Sequence, residues 1–272
     1  MSSPWILRAR PPSSAGADPP AASALLPPQL SLVCFAPAGT SASLFLEWQA
    51  SLPDGVQLLA VELPGRGARM RDAPLDSMPA VMHALLPVLT PELTVRPFVL
   101  FGHSMGAWLA YQLTQELAKA DGPLPLKLYA SANRSPLLAG KACAWPRQHD
   151  VDPTVMHCLP AEEFWPAMER RYGPNPSLAH PALRRRLLPM LQADFRLIET
   201  WRPEGLAAEA QQEGQRMQLD DGQAPQPPPL PCAVGAIGAT ADCRYSREQL
   251  GAWAQVAPPG GYEECWFEGG HK

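Results

Sequence analysis

The stretch FVLFGHSMGAWLAYQL, Phe98 to Leu113, constrains the fold more than any other part of the chain. A short apolar run, Phe98 to Phe101, meets Gly102-His103-Ser104-Met105-Gly106, and a helical pattern starts at once. Leu109, Leu113 and Leu117 then recur at four-residue steps on one face. A serine between two glycines at a strand-to-helix junction has a mechanical reason. The turn is too tight for side chains at the flanking positions and asks for unusual dihedrals. It lifts the hydroxyl clear of the sheet and leaves the Met105 N–H facing the same space. The helix that begins there adds partial positive charge where an oxyanion would form. Gly-x-Ser-x-Gly alone arises by chance in many proteins. With a strand before it and an amphipathic helix after it, Ser104 reads as a nucleophile rather than a turn residue.

A serine hydroxyl is a weak nucleophile until a base takes its proton, and that base needs an orienting acid. On a sheet of this type the chain order is Ser, then Asp or Glu, then His. His83 falls in an apparent helix before the serine, and His103 occupies the variable position of the motif. His149, His157 and His180 fall in a helical stretch before the late strands. His271 alone follows the last apolar run, in CWFEGGHK, where two glycines make a loop at a strand end. It is the expected base; the alternative is a solvated terminal histidine. Asp242, just past CAVGAIGAT, is the expected acid. Asp194 reads as a surface or structural charge, Glu268 is too near His271, and Asp220 and Asp221 lie in low-complexity sequence. The second oxyanion donor is expected from FAPAGTSAS, a loop that Pro37 and Gly39 make compact, with Ala38 as the donor.

Other apolar runs place this junction in a larger pattern. Leu30–Phe35, Val56–Leu63, Leu126–Ser131, Cys232–Ile237 and Cys265–Phe267 are short and continuous, as in strands covered on both faces. Helical stretches separate several of them, so an α/β fold with a mostly parallel sheet and right-handed crossovers is expected. Residues from about 135 to 201 break the alternation and read as wholly helical, a lid over the sheet's carboxyl edge. A helix starts at Pro160 and puts Phe164, Trp165, Met168 and Tyr172 on one face. A second carries Leu187, Leu188, Leu191, Phe195 and Ile198, with a kink expected at Pro189. Phe164, Trp165, Met168 and Leu191 are candidate acyl-channel residues; the competing reading is lid core.

Proline is the compositional outlier, 34 of 272 residues, against about 5% ordinarily. Part of the excess lies in residues 1–29, expected to be a disordered tail; a targeting peptide is the minority reading. Another part lies in Ala207–Pro229, expected to be a low-complexity insertion. The rest, 30–272, reads as one domain, and a 46% apolar share supports a sizeable core. A net charge of −4 gives no electrostatic case for nucleic acid. No run approaches the roughly 18 apolar residues of a membrane span. Six scattered cysteines form no CxxC pair, so neither a disulfide framework nor a metal site is expected, and a reducing, cytoplasmic compartment is.

Seven collinear motifs resemble the stand-alone type II thioesterases of polyketide, nonribosomal-peptide and fatty-acid synthesis. They are CFAPAGTSAS, ELPGRGAR, FGHSMGA, LYASANRSP, ADFRLIETW, AIGATAD and FEGGH, and they span roughly Leu30 to His271. The resemblance implies an α/β-hydrolase fold with a helical lid. It also implies hydrolysis of acyl thioesters on the phosphopantetheine arm of an acyl or peptidyl carrier protein, by a monomer with no cofactor of its own. Ser104, Asp242 and His271 match the family's triad positions, and Met105 and Ala38 its oxyanion positions. Three departures stand out. Gly39-Thr40 replaces a Gly-Gly pair, Ala207–Pro229 looks inserted, and the chain stops one residue past His271, where the family continues into a final helix. A fragment, or a weakly active protein with a mobile His271, is one expectation from that end. A small-molecule esterase or lipase of the same fold, or a catalytically impaired synthase-associated protein, are the rival functions.

Overall fold

In the computed structural model, the residues described are 3–9, 27–139, 154–204, 227–242 and 244–271. The six apolar runs form six strands: β2 (Leu30–Phe35), β3 (Val56–Val61), β4 (Phe98–His103), β5 (Lys127–Ser131), β6 (Ala233–Ala239) and β7 (Tyr262–Phe267). A short strand the sequence reading did not contain, β1 (Ile6–Arg8), completes a seven-stranded sheet in the order β1-β3-β2-β4-β5-β6-β7. All neighbours are parallel except β1, which runs antiparallel to β3. This is the mostly parallel α/β architecture expected of an α/β-hydrolase.

Alternation along β2 explains how one strand serves two layers. Val33 and Phe35 face the main core, shared with α1 (Met78–Leu93) and α2 (Met105–Lys119). Cys34 faces a smaller cluster with Phe45 and Ala42 from the 3-10 helix Ala42–Ser51. Both faces of β2 are therefore dry, and its run is continuous rather than alternating. At the far edge the second face opens: Cys265 on β7 is exposed and Phe267 is 61% exposed.

The reading of residues 1–29 as a structureless tail is corrected at its start. Trp5 and Ile6 are buried, and Ile6, Leu7 and Arg8 register with Val61, Ala60 and Leu59. Three residues are too few to show a period, and the surrounding proline and serine mask them, but they cap the edge of β3. Residues 10–26 lie outside the described residues, as do 140–153 and most of Ala207–Pro229.

Between β5 and β6 the described chain forms α3 (Ala161–Tyr172) and α4 (Pro181–Thr200), with 3-10 turns at Pro136–Leu138, Met156–Cys158 and Pro176–Leu178. α3 starts after Pro160 as expected, and α4 runs on through Pro189. Phe164, Trp165, Met190, Leu191 and Phe195 form a core of their own, apart from the sheet's. A short helix, α5 (Arg247–Gly251), follows β6 and is closed by a Ser246/Gln249 capping box.

Asp194 ties this helical layer to the sheet. Its carboxylate accepts two bonds from Arg66, at 2.9 and 2.7 Å, and a third from the Gly39 N–H at 2.7 Å. Both side chains are buried, at 3% and 1% exposure. Of the two readings open for Asp194, surface and structural, the surface one is thereby corrected: a helix register that looks polar in sequence faces inward here because a guanidinium waits for it. Among the described residues, no helix is long and apolar enough to cross a membrane, and no cluster of His, Cys, Asp or Glu could hold a metal ion.

Candidate active site

The strand-to-helix turn after β4 is as tight as its glycines suggest. A Cβ on Gly102 would stand 2.2 Å from the Gly106 carbonyl oxygen, and one on Gly106 would stand 2.1 Å from the Phe35 oxygen. Ser104 sits at φ 53°, a strained conformation for a residue with a side chain. Three hydrogen bonds hold it there. Its N–H donates to the Ser131 carbonyl at 2.8 Å, and its own carbonyl accepts from the Ala107 N–H at 2.9 Å and from Asn133 Nδ2 at 2.8 Å.

Ser104, His271 and Asp242, 167 and 29 residues apart in sequence, meet at the carboxyl ends of β4, β7 and β6. Ser104 Oγ lies 3.2 Å from His271 Nε2, and His271 Nδ1 lies 2.7 Å from Asp242 Oδ2. Asp242 has no exposed side-chain surface, while His271 keeps 20%. The Arg244 N–H donates to Asp242 Oδ1 at 2.8 Å. Tyr245 lies beside the same carboxylate; burial first, and then that negative neighbour, push its phenol well above the usual range. A carboxylate fixed in this way orients an imidazole and stabilises it once charged. The imidazole, hydrogen-bonded at both nitrogens, is aligned to take the Ser104 proton.

The two expected oxyanion donors stand at the same end of the sheet. Met105 opens α2, where the first N–H groups have no intrahelical partner. Ala38 lines the cavity that contains Ser104. The next N–H, that of Gly39, is committed to Asp194 and so unavailable to a substrate. Gly39 has φ +74°, and a Cβ there would stand 2.5 Å from Leu191 Cδ2. In the Gly39-Thr40 pair the first glycine is thus the one the loop requires.

The cavity measures about 520 Å³ and is bounded by the first loop, the Ala42–Ser51 helix, β4, α3 and α4. Trp165, Met168 and Leu191 line it. Phe164 does not. It is fully buried one position away, edge-on to Trp165 and Phe195, and holds the helical layer together. Sequence reasoning missed the opposite wall, where Phe45, Trp48 and Phe101 stack edge to face with Leu44 beside them. The only signal was the apolar density of SLFLEW, which carries no helical or strand period. It also missed Asn133, two residues past the end of β5 and inside LYASANRSP, where nothing in the local pattern assigns it a role.

His103 occupies the motif's variable position, yet its ring is engaged on both sides. Nδ1 lies 3.0 Å from Ser131 Oγ and Nε2 lies 2.9 Å from the His271 carbonyl oxygen. Burial, and then the neighbouring His271, push its pKa below the usual histidine value.

Residues 30–260 match the family model of the thioesterase domain. Among curated proteins, the chain is 29% identical over 227 residues to linear gramicidin dehydrogenase LgrE of Brevibacillus parabrevis, covering 82% of this chain and 73% of that one. It is 25% identical over 244 residues to the gramicidin S biosynthesis protein GrsT of Aneurinibacillus migulanus, covering 89% and 82%. Among solved structures it is similar to RedJ, a thioesterase from the prodiginine pathway of Streptomyces coelicolor. That match has 30% identity, a TM-score of 0.70, and coverage of 96% of this chain and 84% of that one. The dinucleotide-binding pattern Gly-x-Gly-x-x-Gly does not occur in the present sequence.

Proposed function

Since this chain belongs to the thioesterase domain family, we propose that Ser104, His271 and Asp242 hydrolyse acyl thioesters carried on the phosphopantetheine arm of an acyl or peptidyl carrier protein. It is a type II thioesterase, editing or releasing chains beside a polyketide, nonribosomal-peptide or fatty-acid synthase in the cytoplasm. The observation that carries this reading is the hydrogen-bonded series from Ser104 Oγ through His271 to Asp242, at one end of an apolar cavity.

His271 Nε2 takes the Ser104 proton as Oγ attacks the thioester carbonyl, and Asp242 stabilises the imidazolium that forms. The Met105 and Ala38 N–H groups receive the oxyanion; each such donor is worth about 10²–10³ in rate. The C–S bond then breaks, the pantetheine sulfur leaves with the proton from His271, and the acyl group remains on Ser104. Water, losing a proton to His271, attacks the acyl-enzyme and releases the free acid and Ser104. A thiol leaves more readily than an amine, so proton delivery is less demanding than in a protease. α3 and α4 form the lid. The acyl chain lies against Trp165, Met168 and Leu191, and the cavity size is within the usual range of about 300–1,000 Å³ for small-molecule sites.

The test compares an acyl-carrier protein, the matching acyl-CoA and a p-nitrophenyl ester, with Ser104→Ala as control. The expected result is the highest kcat/KM on the acyl-carrier and none from Ser104→Ala. Faster turnover of the simple ester would make the protein an esterase. Failure of Ser104 to label with a fluorophosphonate would make it a non-catalytic partner of a synthase.

A further inference from the structure

His103 is an ionisable side chain beside the triad to which the mechanism gives no task, and its contacts specify one. We propose that His103 is a positioning residue: its neutral ring clamps the main chain of His271 to β5, so that the base and the nucleophile are referenced to the same residue, Ser131. This rests on the reading of His271 as the base.

A carbonyl oxygen only accepts, so the nitrogen facing the His271 carbonyl, Nε2, carries the proton and donates. Burial disfavours the charged ring, and in the neutral ring Nδ1 accepts from Ser131 Oγ–H. One neutral tautomer satisfies both partners. Ser131 also accepts the Ser104 N–H through its backbone carbonyl at 2.8 Å. A single residue of β5 therefore fixes the nucleophile's turn directly and the base's main chain through His103.

The base benefits from such a reference because, among the described residues, its main chain has few other anchors. Gly269 (φ +141°) and Gly270 precede it, and nothing stands within 4 Å of a Cβ at either position. Side-chain packing does not locate this stretch; hydrogen bonds do. The Ala241 N–H holds the Gly269 carbonyl at 2.8 Å, and among the described residues the hydrogen bond to the main chain of His271 is the one from His103. Loss of about 1 Å of registration at a reacting group can cost about 10²-fold in rate.

Neutrality is part of the task. The two rings lie 5.4 Å apart between centroids, and His271 becomes an imidazolium in each half-reaction. A second cation there would oppose that charge; a neutral donor does not. The charged and titratable groups facing His103 are His271 and, behind it, Asp242.

The test compares His103→Leu, which fills the space without a donor, with His103→Gln, whose amide places a donor near Nε2. On acyl-carrier or p-nitrophenyl substrate, His103→Leu should lose about 10- to 100-fold in kcat with KM little changed. Its fluorophosphonate labelling rate should fall in proportion, and its melting midpoint should stay near that of the parent. His103→Gln should recover most of both rates. A His103→Leu protein with kcat within about twofold of the parent would overturn the proposal, as would a His103→Gln protein as slow as the leucine variant. If His103→Leu does not fold, Ser131→Ala replaces it: a fall of about fivefold in kcat and labelling is expected, and unchanged rates overturn the clamp. Full activity in His271→Ala would instead remove the catalytic reading beneath it.

Discussion

Removing the Asp194 carboxylate exposes how strongly the helical layer is coupled to the sheet. Asp194→Ala deletes both bonds to Arg66 and the acceptor of the Gly39 N–H, leaving a guanidinium of 3% exposure without its counter-charge. Breaking a buried pair by deleting one partner costs about 3–5 kcal/mol, most of it the penalty of the stranded charge. A domain of this size loses about 2–4 °C of melting temperature per kcal/mol, so a fall on the order of 10 °C is expected. The diagnostic arm is the double variant Arg66→Met with Asp194→Leu. With both charges gone the desolvation penalty disappears, and the double variant should be more stable than Asp194→Ala despite carrying one more substitution. Urea denaturation of the parent, Arg66→Met, Asp194→Leu and the double gives the coupling. Hydrolysis should fall in every variant lacking the carboxylate, because the loop bearing Ala38 loses the anchor at Gly39. An Asp194→Ala loss under about 1 kcal/mol, or a double variant no more stable than the single, would refute the argument.

Four other outcomes follow from particular contacts. Gly106→Ala should fail to give active protein, since the new methyl would meet the Phe35 carbonyl; normal activity in the soluble variant would show that the elbow relaxes. Met168→Trp should reduce kcat/KM for long acyl thioesters by about tenfold or more, sparing short ones, because Met168 lines the cavity. Phe164→Ala should instead lower stability by about 3–5 kcal/mol without that chain-length signature, and parallel losses on both chain lengths in Met168→Trp would sink the distinction. For the thiols, burial raises Cys232 to about 11 and Cys34 higher still, while Cys158 and Cys265 are exposed. Alkylation of native protein at pH 8, read by mass spectrometry, should modify Cys158 and Cys265 and spare Cys34 and Cys232; rapid loss of the Cys34 thiol would contradict the core packing.

Much of the architecture is legible in local patterns. Short continuous apolar runs such as LSLVCF and VQLLAV announce buried parallel strands, and the spacing of Leu109, Leu113 and Leu117 announces the helix behind Ser104. The meeting of Ser104, Asp242 and His271 is legible for a related reason. In a parallel sheet every strand ends on the same edge, so residues just past three strands converge whatever their separation in sequence. Less visible were β1, three residues in a proline-rich setting, and the wall built from Leu44, Phe45 and Trp48, whose 3-10 helix has no period to detect.

What the sequence determines by itself, then, is the order of strands and helices, the strained turn at Ser104, and the chemistry available at the strand ends. These are short-range properties of periodicity, glycine placement and residue type. Only the tertiary structure decides which polar groups answer one another across long stretches of chain. Asp194 resembles any charged residue on a helix until Arg66 and Gly39 arrive beside it from 128 and 155 residues away. His103 resembles a free position in a motif until Ser131 and His271 close on its two nitrogens. A buried polar group must find a partner of the right kind, and which partner it finds is a matter of packing that no local pattern encodes.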